Sequence, residues 1–221
     1  MLHGATEVFA FATSATRNAA NGQDFVNDIK NLFGVEVKVI QGDEEAELIY
    51  YGVRQAVNLN SENVLIIDIG GGSNEIIVGH GEDYCWKRSY DLGISRLLQM
   101  FNPSDPITLS EVEKVEDFIE QELADLEEPM KEYSPRMIVG SSGSFDTYRS
   151  NITSQKLHIS LVGTTKKQRS AIPGMDPMRV DMIVLATIFT HFLVKKFGIS
   201  RMVQSAYALK EGAVWKMVNL M

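Results

Sequence analysis

The chain has 221 residues, 44% of them hydrophobic and 23% charged, which is typical of a globular protein and excludes a disordered or fibrous one. Its formal net charge of −8 repels nucleic acid polymers and anionic membranes on average, so we expect neither as a partner. The single cysteine, Cys85, excludes an internal disulfide framework. An anionic substrate would therefore need a local pocket of hydrogen-bond donors.

The amino terminus lacks the basic and then apolar layout of a secretory signal. The most apolar stretch, residues 182–194, is shorter than the about 20 residues that a membrane-spanning helix needs. These features predict a cytoplasmic protein, and a homodimer is a possible oligomeric state.

The first elements alternate between strand and helix. Residues 8–12 predict a strand that opens into a helix. Residues 25–33 predict a second helix, which ends at Gly34. The β-branched alternation of residues 35–40 predicts another strand.

An amphipathic helix and a strand meander are predicted next. The helix covers residues 44–57, with Asp43 as its expected cap. The apolar run at 64–69 predicts a buried strand, and residues 75–79 and 86–92 predict two returning strands.

The second half of the chain is predicted to be mainly helical. Ser110 and Glu113 have the spacing of a capping box for a long acidic helix. Residues 137–139 predict a short strand. A helix that is apolar nearly all round is predicted from 176 to 197, and residues 208–221 predict the last helix.

A glycine-rich loop after the buried strand is the strongest functional motif. Gly70, Gly71, Gly72 and Ser73 can fold back tightly and expose successive N–H groups to an anion. Asp68, just before the loop, could hold a divalent cation that in turn holds phosphate. The alternative is a plain glycine-rich turn.

Two familiar phosphate motifs are excluded at this loop. A P-loop needs a lysine followed by a helix, but this loop has no lysine and returns into a strand. A dinucleotide-binding fingerprint needs glycine where Glu75 stands.

A second candidate anion site lies where the first strand opens into a helix. Ser14 would add a hydroxyl to the free N–H groups there. Arg17 could fork onto phosphate oxygens. The alternative is an ordinary helix start with a surface arginine.

Glu45 is the candidate general base. It lies on the flank of the apolar face of its helix, where partial burial would raise its pKa and suit it to act on water. The helix N-terminus opposes that shift. The alternative is an acidic first turn that satisfies the helix dipole.

Small residues also follow the strand at 137–139. Gly140, Ser141 and Gly143 would permit close approach by a ligand or by neighbouring backbone. Further along the chain from the glycine-rich loop, Arg88 and Arg96 could line the path of a polyanion, or they could belong to solvated faces.

Taken together, these motifs resemble the exopolyphosphatase and guanosine pentaphosphate phosphohydrolase (Ppx/GppA) family. The matching segments, in chain order, are ATSATR at 12–17, GDEEA at 42–46, DIGGGSNE at 68–75, Gly93 with Arg96, GSSG at 140–143, IPGM at 172–175 and KEG at 210–212.

The resemblance implies an α/β, two-lobed actin-like ATPase fold (sugar kinase, Hsp70 and actin; ribonuclease H-like). Residues 1–41 with 208–221 would form the remnant of the first lobe, and 42–207 the second lobe with its phosphate loop. Family members begin with a further phosphate loop that does not precede Met1 here, so the first lobe is expected to be incomplete at its N-terminus. We expect little activity if that loop is absent.

The implied activity is metal-assisted hydrolysis of terminal phosphoanhydride bonds, with Mg²⁺ as the cofactor. Polyphosphate is the favoured substrate and guanosine pentaphosphate the alternative. A non-catalytic sensor of polyphosphate or nucleotide, and a kinase of the same fold, are further alternatives.

The resemblance also implies roles for individual residues. Glu45 matches the catalytic glutamate, Asp68 the metal-associated aspartate and Arg17 a phosphate-contacting arginine. The segment 70–73 matches the second phosphate loop. The segment 140–143 matches the loop that approaches the nucleotide in related ATPases.

Overall fold

Two sheets organise the part of the chain that the structure describes. The computed structural model describes residues 7–60, 62–141, 145 and 154–220, without the side chains of 154–157 and 220. The smaller sheet pairs β1 (Ala10–Ala12) with β2 (Val37–Val39) in parallel. The larger sheet is built from β3 (Val64–Ile69), β4 (Asn74–His80), β5 (Asp83–Tyr90), β6 (Met137–Gly140) and β7 (Arg201–Gln204).

The strand order of the larger sheet is β5-β4-β3-β6-β7. Strands β3, β4 and β5 form the predicted antiparallel meander. Strand β6 pairs in parallel with β3, and β7 pairs in parallel with β6. The helices are α1 (Ser14–Asn18), α2 (Gly22–Phe33), α3 (Gly42–Ala56), α4 (Ile94–Phe101), α5 (Leu109–Glu122), α6 (Glu127–Tyr133), α7 (Ser154–Val162), α8 (Lys166–Ser170), α9 (Ile183–Phe197) and α10 (Leu209–Leu220).

Both faces of β3 are covered, which explains its continuous apolar sequence. Leu65 and Ile67 belong to the main core with buried residues of α5 and α9. Val64 and Ile66 face the other way and pack with the apolar face of α3. The strand period of two therefore puts Asp68, next in the second series, on the α3 face of the sheet.

The long acidic helix starts with a different capping box from the predicted one. The Thr108 hydroxyl accepts from the Glu111 N–H, and the Glu111 carboxylate accepts from the Thr108 N–H. Ser110 is already inside the first turn. Two overlapping patterns of the same spacing occur here, and the helix uses the earlier one, so the prediction of Ser110 with Glu113 was wrong.

The buried helix α9 begins at Ile183 rather than near Asp176. The Asp176 carboxylate accepts from the backbone N–H of Met178, and its carbonyl accepts from Arg179. These short-range bonds form a series of turns, because an aspartate before proline favours a turn as readily as a helix start. From Ile183 onward the helix is buried nearly all round, as predicted.

Two other boundaries also differ from the predictions. Gln41 is the cap residue of α3, so Asp43 lies within its first turn instead of capping it. The third strand of the meander covers Asp83–Tyr90 rather than 86–92. The predicted stop of α2 at Gly34 is confirmed, since that glycine has a φ of 67°.

Helices α3 and α10 cross at very short distance through two glycines. A Cβ atom at Gly212 would lie 1.7 Å from the carbonyl oxygen of Leu48, and one at Gly52 would lie 1.9 Å from that of Ala208. No side chain fits between the two backbones here. The glycines therefore fix where the last helix docks on α3, while the expected division into lobes at residues 41 and 208 stays a prediction.

We expect Gly212→Ala to lower the free energy of unfolding by about 1–3 kcal/mol, because the added methyl must push two helix backbones apart. Thermal unfolding followed by circular dichroism measures the change. Gly163→Ala is the matched control, since nothing lies within 4 Å of a Cβ atom at that position. Equal melting temperatures for the two variants would contradict the crossing.

The described residues contain no helix that is both long and apolar enough to cross a membrane.

Candidate active site

Three carboxylates converge where β3 turns into β4. Asp68 and Glu75 are opposite each other in the antiparallel register, so their side chains share the α3 face of the sheet. The first turn of α3 brings Glu45 to the same place, where the charge of Asp68 raises the pKa of Glu45 and the charge of Glu45 raises the pKa of Glu75. The site therefore forms where the hairpin meets the start of α3.

Glu45 is more buried than the sequence predicted, with 8% of its surface exposed. Burial raises the pKa of its carboxyl, and the negative charge of Asp68 adds to the shift. The hydrogen bond and charge of Arg17 and a hydrogen bond from Thr13 oppose it. The net direction is upward, as expected for a carboxylate that takes a proton from water.

Arg17 is held between α1 and α3. Its Nη1 donates to the backbone carbonyl of Ile40 at 2.7 Å and lies 3.2 Å from Oε2 of Glu45. Its side chain is only 14% exposed, so this is a positioned guanidinium rather than a mobile surface group. The sequence predicted its phosphate role, and the structure adds its contact with Glu45.

The glycine-rich loop folds back on itself and against α4. The N–H of Gly70 donates to the carbonyl of Ser73 at 3.0 Å, so Gly70 closes the turn rather than donating outward. The hydroxyl of Ser73 hydrogen-bonds to Glu75. In the part of the chain that the structure describes, no acceptor lies against the N–H groups of Gly71 and Gly72.

The two predicted anion motifs lie side by side. A Cβ atom at Gly72 would lie 2.5 Å from the hydroxyl oxygen of Ser14, which is 4% exposed. A Cβ atom at Gly42, at the start of α3, would likewise lie 2.5 Å from the hydroxyl oxygen of Ser89, and this hydroxyl donates to Glu75. Glycine is therefore needed at both points where backbone meets a hydroxyl side chain.

Asp68 is oriented by the strand end that carries the second small-residue loop. The Ser141 hydroxyl donates to Oδ2 of Asp68 at 2.7 Å, and the Ser141 N–H donates to Ile67 in β3. Burial raises the pKa of Asp68, and the Ser141 hydroxyl opposes the shift. In this structure Ser141 contacts the aspartate, and its predicted contact with phosphate stays a prediction.

Gly140 has a packing role. A Cβ atom there would lie 2.2 Å from the ring of Phe145, and its carbonyl accepts from the Ser205 N–H at 2.8 Å. The close approach that its small size permits is thus made by an aromatic ring. Gly143, predicted to bind phosphate, lies outside the described residues.

Glu75 also belongs to this cluster of carboxyls, although no sequence motif predicted it as a site residue. It is 2% exposed, and burial, followed by the charge of Glu45, raises its pKa to about 8. It therefore carries a proton at neutral pH and can donate a hydrogen bond in the site. The signal that could have identified Glu75 is its position directly opposite Asp68 when the two predicted strands pair as a hairpin.

Asp68 fits the magnesium that the resemblance implies. Magnesium prefers oxygen ligands and usually takes one or two carboxylates, with water and substrate phosphate completing its shell. Among the described residues no group of three or more acidic, histidine or cysteine side chains could hold a metal ion by itself.

A buried carboxylate with a raised pKa, beside a glycine-rich loop and an aspartate that could hold a cation, fits an enzyme that cleaves phosphate groups. The model of the Ppx/GppA phosphatase family matches residues 2–221. The chain belongs to this family.

Several relatives agree with this assignment. Exopolyphosphatase 1 of Mycobacterium tuberculosis is 27% identical over 235 residues, covering 98% of this chain and 68% of that protein. A crystal structure of an exopolyphosphatase from Cytophaga hutchinsonii superposes with a TM-score of 0.93 at 32% identity, covering 100% of this chain and 77% of that one. The Aquifex aeolicus family member gives a TM-score of 0.80 at 25% identity, with coverage of 96% and 74%. These likenesses confirm the predicted fold class.

If Glu45 is the general base, it works only when deprotonated, and since its pKa is raised we expect the acid limb of the pH profile to lie above the range of an ordinary glutamate. Arg17→Gln removes the cation that holds this pKa down, so the limb should move to still higher pH. Measuring kcat/KM for phosphate release between pH 4 and 9 checks both statements. An acid limb that stays in place in the variant would contradict the electrostatic link.

Proposed function

We propose that this protein is an exopolyphosphatase, which hydrolyses the terminal phosphoanhydride bond of inorganic polyphosphate with the help of magnesium. The observation that carries the proposal is the buried carboxylate of Glu45 with its raised pKa, placed beside the glycine-rich loop and Asp68. The names of the Mycobacterium tuberculosis and Cytophaga hutchinsonii relatives support this choice of substrate.

Glu45 would accept a proton from a water molecule while the water oxygen bonds to the terminal phosphorus. The bridging P–O bond breaks, and its electron pair leaves with the shortened chain. General bases of this kind contribute about 10²–10⁴-fold to a rate. Arg17 keeps the carboxylate in place, and its hydrogen bond and charge lower the pKa of Glu45 and so favour the deprotonated form.

The loop amides would hold the terminal phosphate during this step. The N–H groups of Gly71 and Gly72 have no acceptor among the described residues, and the hydroxyl of Ser14 lies against Gly72. Fixed donors of this kind stabilise the charge that spreads over the phosphate oxygens in the transition state. Arg17 follows Ser14 by three residues in α1, on the same side of that helix, and would add a charged donor.

Asp68 would hold the magnesium ion, with its carboxylate oriented by Ser141. When bound, the ion neutralises negative charge on the phosphate chain.

The substrate is tested by measuring phosphate release from polyphosphate and from guanosine pentaphosphate, with magnesium and with chelator. The proposal predicts magnesium-dependent release that is faster from polyphosphate. Faster release from guanosine pentaphosphate would assign the other activity of the family. Binding of polyphosphate without release from either substrate would favour a sensor.

A further inference from the structure

We propose that Arg96 is a positioning residue, which fixes the orientation of the glycine-rich loop so that its N–H groups face the phosphate. The inference rests on the proposed function for its kinetic consequences. Its structural basis is independent of that function, since it lies in the contacts between the loop and α4.

Three successive carbonyls of the loop are each held by one residue of α4. The N–H of Ile94 donates to Gly70 and the N–H of Ser95 to Gly71, both at 2.9 Å. The third bond comes from a side chain instead of the backbone. The Nε of Arg96 donates to the carbonyl of Gly72 at 2.6 Å.

The direction of these carbonyls determines the direction of the amides. In a planar trans peptide the C=O of one residue and the N–H of the next point in opposite directions. Since the carbonyls of residues 70, 71 and 72 point at α4, the N–H groups of Gly71, Gly72 and Ser73 point away from it. The helix thus turns the amides of the loop away from itself, and the hydroxyl of Ser14 lies against the same loop at Gly72.

Gly93 permits this close docking. A Cβ atom there would lie 2.3 Å from the Gly71 carbonyl oxygen, so any larger residue would push α4 away from the loop. The free N–H groups at the start of α4 are used on the loop carbonyls. The start of α4 therefore does not bind an anion directly, as helix N-termini often do. Its N–H groups orient the loop instead, and the loop amides are left to bind the anion.

Arg96 is itself held in place from the other side. Its Nη2 lies 3.2 Å from Oδ1 of Asp91, and that oxygen also accepts from Asn18 of α1 at 3.3 Å. The planar guanidinium can reach the Gly72 carbonyl and Asp91 at once, whereas a single ammonium group cannot present the same fork. Arg96 thereby links the loop to the helix that carries Arg17.

The test compares Arg96→Gln and Arg96→Lys with Arg88→Gln. Arg88 is the matched control because it also carries one positive charge, and the structure favours a solvated face for it, since its side chain on β5 is 53% exposed and pairs with the exposed Asp125. With polyphosphate as substrate, Arg96→Gln is expected to lower kcat roughly 100-fold, the loss that follows from a small misplacement of catalytic groups, with KM nearly unchanged. Arg96→Lys is expected to restore little, and Arg88→Gln to retain kcat.

Other kinetic results would overturn the proposal. A higher KM at unchanged kcat would make Arg96 a direct substrate contact. Full rescue by lysine would show that only its charge matters. Equal kcat values for Arg96→Gln and Arg88→Gln would leave no positioning role.

A second measurement does not depend on turnover. The amide resonances of Gly71 and Gly72 are followed by NMR while inorganic tripolyphosphate is added. We expect both to shift in the wild type and in Arg88→Gln, and to shift much less in Arg96→Gln. Unmoved wild-type amides, or equal shifts in Arg96→Gln, would overturn the inference. Expected shifts without phosphate release would instead refute the proposed function alone.

Discussion

Glu45→Gln is expected to reduce phosphate release by about 10²–10⁴-fold while leaving polyphosphate binding nearly intact. The amide keeps the size of the side chain and can still accept a hydrogen bond from Arg17, but it cannot take a proton from water. A large loss of kcat with little change in KM is the expected signature.

Glu44→Gln is the matched control for this variant. It removes the same charge from the same helical turn, but Glu44 points outward to Lys38 at 2.5 Å. Initial rates and direct titration with polyphosphate should be measured on both variants. If Glu45→Gln and Glu44→Gln release phosphate equally fast, Glu45 is not the base.

Asp68→Asn is expected to remove most of the magnesium activation. The asparagine fits the same space and can accept from Ser141, but it lacks the negative charge that a divalent cation requires. Ser141→Ala tests the orienting hydroxyl alone and should weaken magnesium activation less, by about 10–100-fold, as is usual for partners of metal ligands. We therefore expect the loss of magnesium activation to be greater in Asp68→Asn than in Ser141→Ala.

The measurement is phosphate release as a function of magnesium concentration. Asp83→Asn, an exposed aspartate on β5, controls for the loss of one negative charge. An unchanged magnesium requirement in Asp68→Asn would contradict the assignment of Asp68. Thermal unfolding of each variant separates loss of function from loss of fold.

Much of the site could be predicted because its chemistry lies in short segments. Three glycines after a buried strand, with Asp68 just before them, indicate an anion loop without any knowledge of tertiary contacts. Glu45 could also be found, since its place beside the apolar face of an amphipathic helix predicts partial burial. The structure brings Glu45 close to Asp68, while the functional roles of both residues stay predictions.

The remaining features depend on register and packing, which a single sequence does not specify. Glu75 belongs to the site because it pairs with Asp68 across the hairpin, and this requires the exact turn length. Arg96 reaches Gly72 only because Gly93 lets α4 dock on the loop. The small size of Gly140 permits close approach by a ligand or by an aromatic ring, and in the structure the ring of Phe145 makes this approach.

In the proposed reaction, a water molecule activated by Glu45 attacks the terminal phosphorus of polyphosphate. Its most direct test is hydrolysis of polyphosphate in H₂¹⁸O with magnesium, followed by mass spectrometry of the released phosphate. We expect each phosphate released by the wild type to carry one ¹⁸O atom, and we expect Glu45→Gln to release almost no phosphate. Phosphate without ¹⁸O, or transfer of the terminal phosphate to an added hydroxyl acceptor, would contradict it.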